Sequence, residues 1–362
     1  MEWLANPWRG RGLPAAAGLA NGAVARDREP PLALLDRCPA AAPTPLHDLP
    51  ALAAELGIGT LRVKDETGRM GLGSFKALGA AHAIARAALD AAGAEAPDDA
   101  LRTALAGTTW VCASAGNHGL SVAAGARVFG ARAVIYLADA VPEAFAARLR
   151  DRGAEVVRPG GDYEASMQAA ETDAARHGWT LLSDSSWPGY VELPARVMEG
   201  YLAMADEIVR VLERPPTHIL LQAGVGGLAA AMTAAFRACW GEAPIVVVVE
   251  PEAAPALIGS IRAGAPVTAS GPVSGMGRLD CKAPSHLALG ELARGADWFV
   301  TVGEDDALAA VDRLAAHGIA TTPSGAAGVA ALLEGPEGWA PPGLDGDSRV
   351  LAFATEGRED AA

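Results

Sequence analysis

The sequence predicts an α/β protein built as two parallel-sheet lobes with a cleft between them. Three observations carry that prediction. Short apolar segments alternate with helical segments of small residues along most of the 362 residues, which is the signature of βα units joined by right-handed crossovers. The texture changes at Asp184–Pro194, dividing the alternation into two sets. Ile245–Val249 is an unbroken β-branched run, as a strand covered on both faces requires.

Taken in order, residues 1–45 are rich in Pro, Ala and Gly with little periodicity, and are expected to wrap the surface as an irregular arm. Pro43-Thr44-Pro45-Leu46 sets a rigid turn, and His47–Leu56 reads as a helix. Thr60–Lys64 reads as a strand and Asp65–Gly68 as a polar turn. Helix Phe75–Ala92 follows, then strand Thr108–Ala113, the turn Ser114–Gly119 and helix Leu120–Phe129. Strand Ala133–Leu137, helix Pro142–Arg152, strand Glu155–Val157, helix Tyr163–His177 and strand Thr180–Leu182 complete the first set. The second set begins with helix Ala195–Leu212 and strand His218–Gln222. The turn Gly224–Gly227, helix Leu228–Cys239 and strand Ile245–Val249 come next. A long loop over 264–285 leads to helix Leu287–Arg294, strand Trp298–Thr301, helices Asp305–His317 and Gly325–Leu333, and strand Arg349–Phe353.

Bulk composition narrows the function classes. The chain is 51% hydrophobic, with Ala and Gly dominating, so close helix packing is expected. Net charge is −14 with no basic run, which argues against nucleic acid and anionic membrane surfaces as partners. No apolar run reaches transmembrane length, and Met1–Asn21 lacks the pattern of a signal peptide. Cys38, Cys112, Cys239 and Cys281 show no CxxC spacing, so no metal site is expected and the thiols suit a reducing cytoplasm.

The most informative stretch is Gly71-Leu72-Gly73-Ser74-Phe75-Lys76-Ala77-Leu78-Gly79. Among 29 basic residues only Lys64, Lys76 and Lys282 are lysines, so surface charge is carried by arginine. An amine can condense with a carbonyl, whereas a guanidinium does not. Local desolvation is expected to lower the Lys76 pKa and free its lone pair.

Three further turns fall where open α/β sheets bind ligands, at the carboxyl ends of strands. Ser114-Ala115-Gly116-Asn117-His118-Gly119 offers a hydroxyl, an amide and an imidazole around two glycines. Gly224-Val225-Gly226-Gly227 lies between a buried strand and a helix, where successive N–H groups and the helix N-terminus suit a phosphate. It is neither GxGxxG with a following acid nor GxxxxGK[ST]. Ala354-Thr355-Glu356-Gly357 ends the last strand and presents the Thr355 hydroxyl to a ring nitrogen. Ser324, in Thr322-Pro323-Ser324-Gly325, is the rival for that contact.

A reactive amine, a phosphate cup and neutral hydrogen-bond donors together describe a pyridoxal-phosphate site. Ser74-Phe75-Lys76, the Ser114–Gly119 turn and the glycine loop, in that order, resemble the fold type II pyridoxal-phosphate enzymes, relatives of the tryptophan synthase β-subunit and threonine dehydratase. Val63-Lys64-Asp65-Glu66, Asp184-Ser185-Ser186-Trp187-Pro188-Gly189-Tyr190, Met198-Glu199-Gly200-Tyr201 and Thr355-Glu356-Gly357 extend the likeness over residues 43–360. The Trp187–Tyr190 and Gly200-Tyr201 pair resembles the diaminopropionate ammonia-lyases within them.

The resemblance implies that Lys76 is the Schiff-base lysine, that Asn117 bonds the pyridine 3′-oxygen, and that Gly224, Val225, Gly226 and Gly227 hold the phosphate. Thr355 would face the ring nitrogen. Ser114, Ala115, Gly116, His118 and Tyr190 would line the substrate site, and Asp184 would share proton removal with Lys76. It further implies a cytoplasmic homodimer. Residues 1–75 and 195–362 would form the large phosphate-binding domain and residues 76–194 the smaller one. The expected reaction is α,β-elimination, with 2,3-diaminopropionate giving pyruvate and ammonia. A serine or threonine dehydratase or a β-replacement synthase on the same scaffold is the alternative, and a non-catalytic phosphate- or metabolite-binding protein is the alternative of another class. Two departures bear on the substrate. Ala115 stands where the similar lyases carry an aspartate that serves one substrate enantiomer, the other enantiomer being served by the aspartate that maps to Asp184. Lys282-Ala283-Pro284-Ser285-His286 replaces their acidic segment.

Overall fold

The computed structural model describes residues 1–114, 116–333 and 343–358. The strands are β1 (Trp3–Ala5), β2 (Leu46–Asp48), β3 (Thr60–Asp65), β4 (Thr109–Ala113), β5 (Arg132–Tyr136), β6 (Glu155–Val157), β7 (Thr180–Leu181), β8 (His218–Gln222), β9 (Ile245–Pro251), β10 (Trp298–Val302) and β11 (Arg349–Ala354). The helices are α1 (Glu29–Leu35), α2 (Pro50–Glu55), α3 (Lys76–Ala92), α4 (Asp98–Leu101), α5 (Asn117–Val128), α6 (Glu143–Asp151) and α7 (Tyr163–His177). They continue as α8 (Glu192–Gly200), α9 (Leu202–Val211), α10 (Gly227–Trp240), α11 (Ala256–Ala263), α12 (His286–Gly295), α13 (Glu304–Ala316) and α14 (Pro323–Ala330). No helix among the described residues is long and apolar enough to cross a membrane.

Two sheets organise these elements, as the alternation predicts. The larger has seven strands in the order β1-β10-β9-β8-β11-β3-β2, and the smaller has four in the order β6-β5-β4-β7. The small sheet is parallel throughout. In the large sheet the inner strands are parallel and the two edges, β1 and β2, run antiparallel. The β-branched run of β9 is buried on both faces, with Val246–Val249 fully covered. One continuous apolar core joins the lobes, since Trp110 and Ile135 from the small sheet pack in the same cluster as Phe236 and Val246 from the large one.

Local expectations fail where tertiary contacts decide. His47 lies in β2 rather than in a helix, because its segment pairs with β3 and Pro50 delays the helix start. The N-terminal arm is ordered in part: β1 adds to the edge of β10, and α1 begins at a Glu-Pro-Pro sequence that favours a helix N-terminus. The expected helix over Ala195–Leu212 is two helices. Around Tyr201 the hydrogen bonds tighten, with Tyr201 N–H to Met198 O and Met204 N–H to Tyr201 O, the short-pitch spacing that interrupts an α-helix. This break lets α3 come close. A Cβ on Gly200 would lie 2.3 Å from Leu78 O, and one on Gly79 would lie 2.5 Å from the Tyr201 ring.

A buried ion network holds β3, α9 and the turn beyond β3 together. Arg69 donates to both carboxylate oxygens of Glu66, at 2.7 Å each, and to both of Glu207, at 2.7 and 2.8 Å. Lys64 donates to Glu207 and to Thr44 O, and Thr44 donates its hydroxyl to Glu66. Arg69 and Lys64 are each 1% exposed and Glu66 is fully buried. Two cations and two anions therefore compensate one another where water does not. Removing one charge strands the rest, and breaking such a pair costs about 3–5 kcal/mol. Glu207→Gln is accordingly expected to lose stability of that order, read as a lower urea midpoint. An unchanged midpoint would show that the network adds little.

Candidate active site

Lys76 is brought to the site by the sheet. β3 and β11 are parallel neighbours in register, Phe353 opposite Lys64 and Ala354 opposite Asp65, so the segments that follow them leave the same edge. The two are then sewn together: Ser74 bridges Glu356, Phe75 N–H donates to Thr355 O at 3.1 Å, and Gly357 N–H donates to Gly73 O at 3.0 Å. Gly71 and Gly73 take φ of 65° and 81°, values that favour glycine. Lys76 follows as the first residue of α3.

Its amine is ion-paired with Asp184, which lies just past the end of β7. The expectation of a lowered lysine pKa is corrected here. Burial does work to lower it, but the charge of Asp184 and the Asp184 hydrogen bond outweigh burial and raise it. Asp184 answers in kind: burial pushes its carboxyl up, while the charge and hydrogen bond of Lys76 hold it well below the usual range. The pair is ammonium and carboxylate.

The glycine loop stands beside this pair, since a Cβ on Gly227 would lie 3.7 Å from Asp184 O. Gly226 precedes α10 with φ of 98°, and no side chain caps the helix. Among the described residues no acceptor meets the N–H groups of Gly226 and Gly227, which is the condition for an anion site at a helix N-terminus. The loop has no room for side chains: a Cβ on Gly224 would lie 2.9 Å from Cys281 Sγ, and one on Gly226 3.1 Å from the Ala288 side chain. Ser285 N–H donates to Val225 O from behind. The hydroxyls of Ser285 and Ser186 are 2.7 Å apart, which links this support to the Asp184 segment. Burial pushes the Cys281 thiol up to about 11, so it faces the pair as a neutral thiol.

The first turn divides its tasks. Ser114 Oγ accepts from the N–H groups of Gly116 and Gly119, at 3.2 and 3.1 Å, and so shapes the turn. Ala115 lies outside the described residues. Asn117 opens α5 and directs its amide to Glu356, whose other carboxylate oxygen accepts from Thr322. His118 is buried and donates from Nε2 to Leu182 O at 2.8 Å. Burial depresses its pKa, and Nδ1 has no partner, so the ring is neutral beside Asp184. Tyr190 stacks on Trp187, 4.4 Å between ring centres. Its hydroxyl accepts from Ser183 N–H and donates to Leu181 O, both at 2.9 Å. That clamp fixes the backbone immediately before Asp184.

Thr355 and Ser324 are both buried, 3% exposed each. Thr355 Oγ1 accepts from Gln222 at 3.3 Å, and Ser324 Oγ accepts from Arg278 N–H at 3.1 Å. Each hydroxyl keeps its own proton to donate, so the geometry leaves both available to a ring nitrogen. Reading by motif gives no site role to Tyr163 or Tyr201. Tyr201 is buried next to Lys76, edge-on to Phe75 at 5.0 Å. Tyr163 stands at the start of α7 and is 53% exposed, with its pKa raised by burial first and by Asp184 next. Met198-Glu199-Gly200-Tyr201 contains one of them, but nothing local marks Tyr163 beyond its place at the start of α7.

A phosphorylated aldehyde fits these residues. The unsatisfied N–H groups of Gly226 and Gly227 suit a phosphate, a lysine amine lies beside that loop, and neutral hydroxyls and an amide are available to a ring. The pyridoxal-phosphate dependent enzyme family matches residues 38–356. The diaminopropionate ammonia-lyase of Salmonella typhimurium is 33% identical over 317 residues, covering 83% of this chain and 77% of the relative. That of Escherichia coli K12 is 32% identical over 268 residues, 72% and 67% of the two chains. Among solved structures, Escherichia coli diaminopropionate ammonia lyase in complex with D-serine superposes with a TM-score of 0.88 at 27% identity, covering 99% of this chain and 94% of that one. The same enzyme with an aminoacrylate-PLP azomethine reaction intermediate gives 0.86 at 28% identity, with coverage of 99% and 94%. The chain belongs to the pyridoxal-phosphate-dependent enzymes and has their type II fold.

Proposed function

We propose that the protein is an ammonia-lyase that carries out α,β-elimination on an amino acid, converting 2,3-diaminopropionate to pyruvate and ammonia. The observation that carries this reading is the Lys76–Asp184 ion pair beside the open glycine loop. The similarity to diaminopropionate ammonia-lyases supports the choice of substrate. When bound, pyridoxal phosphate supplies the electron sink for the pair left on Cα.

The chain's own groups do the rest. N–H groups of Gly226 and Gly227 bind the phosphate, and Gly224 and Val225 complete the loop. Asn117 would hold the ring oxygen, and Thr355 would donate to the ring nitrogen, with Ser324 as its rival. Lys76 would be the residue that holds the cofactor's aldehyde carbon, and its amine would be available as a base when the substrate amine occupies that position. Asp184 takes the Cα proton, with Lys76 as a second base once freed. Tyr190 keeps Asp184 in place through its backbone clamp, and His118 borders the same carboxylate. Ser114 and Gly116 shape the turn that faces the substrate.

A dehydratase or a β-replacement synthase would use the same residues, and Ala115 with the 282–286 segment keeps that second reading open. Incubating the holoenzyme with diaminopropionate, serine, threonine and O-acetylserine separates them. Pyruvate formation fastest from diaminopropionate is expected, and turnover of serine alone would give the enzyme to the dehydratases. The division into residues 1–75 with 195–362 and residues 76–194 is part of the same proposal, as are a cytoplasmic location and a homodimer. All four thiols are free, which supports the location. Light scattering on the purified chain tests the oligomer.

Lys76→Ala is expected to abolish turnover and to prevent borohydride from fixing the cofactor to the chain. Labelling at Lys64 or Lys282 would move the Schiff base elsewhere. Gly226→Asp brings a carboxylate to the phosphate and a Cβ to a backbone at φ of 98°, so bound cofactor is expected to fall sharply. Wild-type stoichiometry in that variant would reduce the loop to a turn. Ala115 has no proton-accepting group, whereas Asp184 keeps its carboxylate, so L substrates are expected to be strongly preferred over D. General bases contribute roughly 10²–10⁴-fold, and Asp184→Asn is expected to cost that much on the L substrate while cofactor absorbance persists. Equal rates on D- and L-diaminopropionate would refute the assignment.

A further inference from the structure

A cavity of about 530 Å³ opens at the outer rim of the site, within the size range of ligand pockets. It reaches Asn117, Ser324 and Glu356, while Lys76 and Asp184 do not line it. A substrate whose amine goes to Lys76 would therefore present its far end to this mouth. Arg148, Arg152, Arg278 and Arg358 line it, against the carboxylates of Asp151 and Glu356. Glu356 already accepts from Asn117 Nδ2 and Thr322 Oγ1, one on each carboxylate oxygen. The guanidiniums of Arg148 and Arg278 lie over one ring, 5.8 and 5.9 Å from the centre of Phe145, so two cations converge on the same patch of wall. Arg148 makes no ion pair among the described residues, and Arg152 spends one N–H on Gly71 O.

This excess of positive charge sits in a chain of net charge −14. With four guanidiniums against two carboxylates it disfavours a cationic side chain, so a diamino acid does not account for it. Guanidiniums bind phosphate and carboxylate oxygens in pairs, and a concave, partly water-excluded setting strengthens the attraction.

We propose that the arginine-lined mouth recognises an anionic β-substituent, and that amino acids bearing a phosphate ester there are additional substrates of this site. The proposal rests on the elimination reading. With O-phospho-L-serine, Asp184 takes the Cα proton and the Cβ–O bond breaks, its electron pair leaving on phosphate. The remaining enamine takes up water and yields pyruvate and ammonia.

The test compares O-phospho-L-serine, L-serine and 2,3-diaminopropionate on the holoenzyme, following pyruvate and inorganic phosphate. Phosphoserine is expected to exceed serine in kcat/KM by at least about tenfold and to lose that advantage as salt rises. Arg148→Gln is expected to lower kcat/KM for phosphoserine by roughly 10–100-fold, mainly through KM, as a lost charged hydrogen bond would. Serine and diaminopropionate should be unaffected, and Arg148→Lys should restore part of the loss. Phosphoserine no better than serine, or an equal loss on all three substrates, would overturn the proposal. If none of the three reacts, the elimination reading has failed instead. Calorimetric titration with O-phospho-L-serine then decides the mouth: binding that Arg148→Gln removes supports the anion site, and no binding to the wild type refutes it.

Discussion

The buried network of Lys64, Glu66, Arg69, Glu207 and Thr44 is the constraint on which the site depends. Charges taken out of water are tolerated only when each finds its counterpart, and here every guanidinium nitrogen of Arg69 is engaged. Burial works to lower the Arg69 pKa, but hydrogen bonds and charges from Glu66 and Glu207 raise it, so it stays a cation in the core. The chain immediately afterwards needs such an anchor. Met70 has φ of 51°, the one non-glycine residue in the left-handed region among the described residues, and that conformation persists only where surroundings impose it. The anchored turn sets the direction in which Gly71–Lys76 leaves the sheet.

From that anchor the site assembles out of strand ends. Lys76 arrives from the edge shared by β3 and β11, the glycine loop from the end of β8, and Asp184 from beyond β7 in the other sheet. The lobes share one apolar core, so these groups do not rely on a flexible hinge to meet. Close glycine contacts do the final placement. Gly79 and Gly200 let α3 and the α8–α9 break approach within backbone distance, which brings Tyr201 to Lys76. A larger residue at either position would move the lysine helix.

What the sequence made legible were features carried by one short segment. A scarce lysine between glycines, a glycine loop after a buried strand, and a β-branched run each stand out locally, and the structure sets the lysine at the start of α3, the loop between β8 and α10, and the run in β9. Features assembled from distant residues were not legible. Glu207 and Arg69 read as ordinary surface charges until folding buries them together. The mouth arginines come from α6, its C-terminal end, the long loop and the chain's last described residue, with no spacing that links them in a sequence where arginine carries most of the positive charge. His47 shows the same limit in secondary structure, where pairing with β3 overrode a helical pattern. The helix break at Tyr201 came from packing against α3, which no local propensity reports.

The lysine also shows where a sound principle was applied to the wrong opponent. Desolvation is the largest influence on the Lys76 amine and does lower its pKa, but Asp184 lies against it and wins. The same competition runs in reverse on Asp184, where burial raises the carboxyl pKa and the Lys76 charge depresses it. The two groups hold each other ionised. Were the Lys76 amine to lose its charge, the depressing influence on Asp184 would weaken while burial remained. Neutral His118 offers little charge in compensation. The carboxylate would then be a stronger base. Each group's protonation state is thus set by the other, and a change of charge at one is felt as a change of basicity at the other.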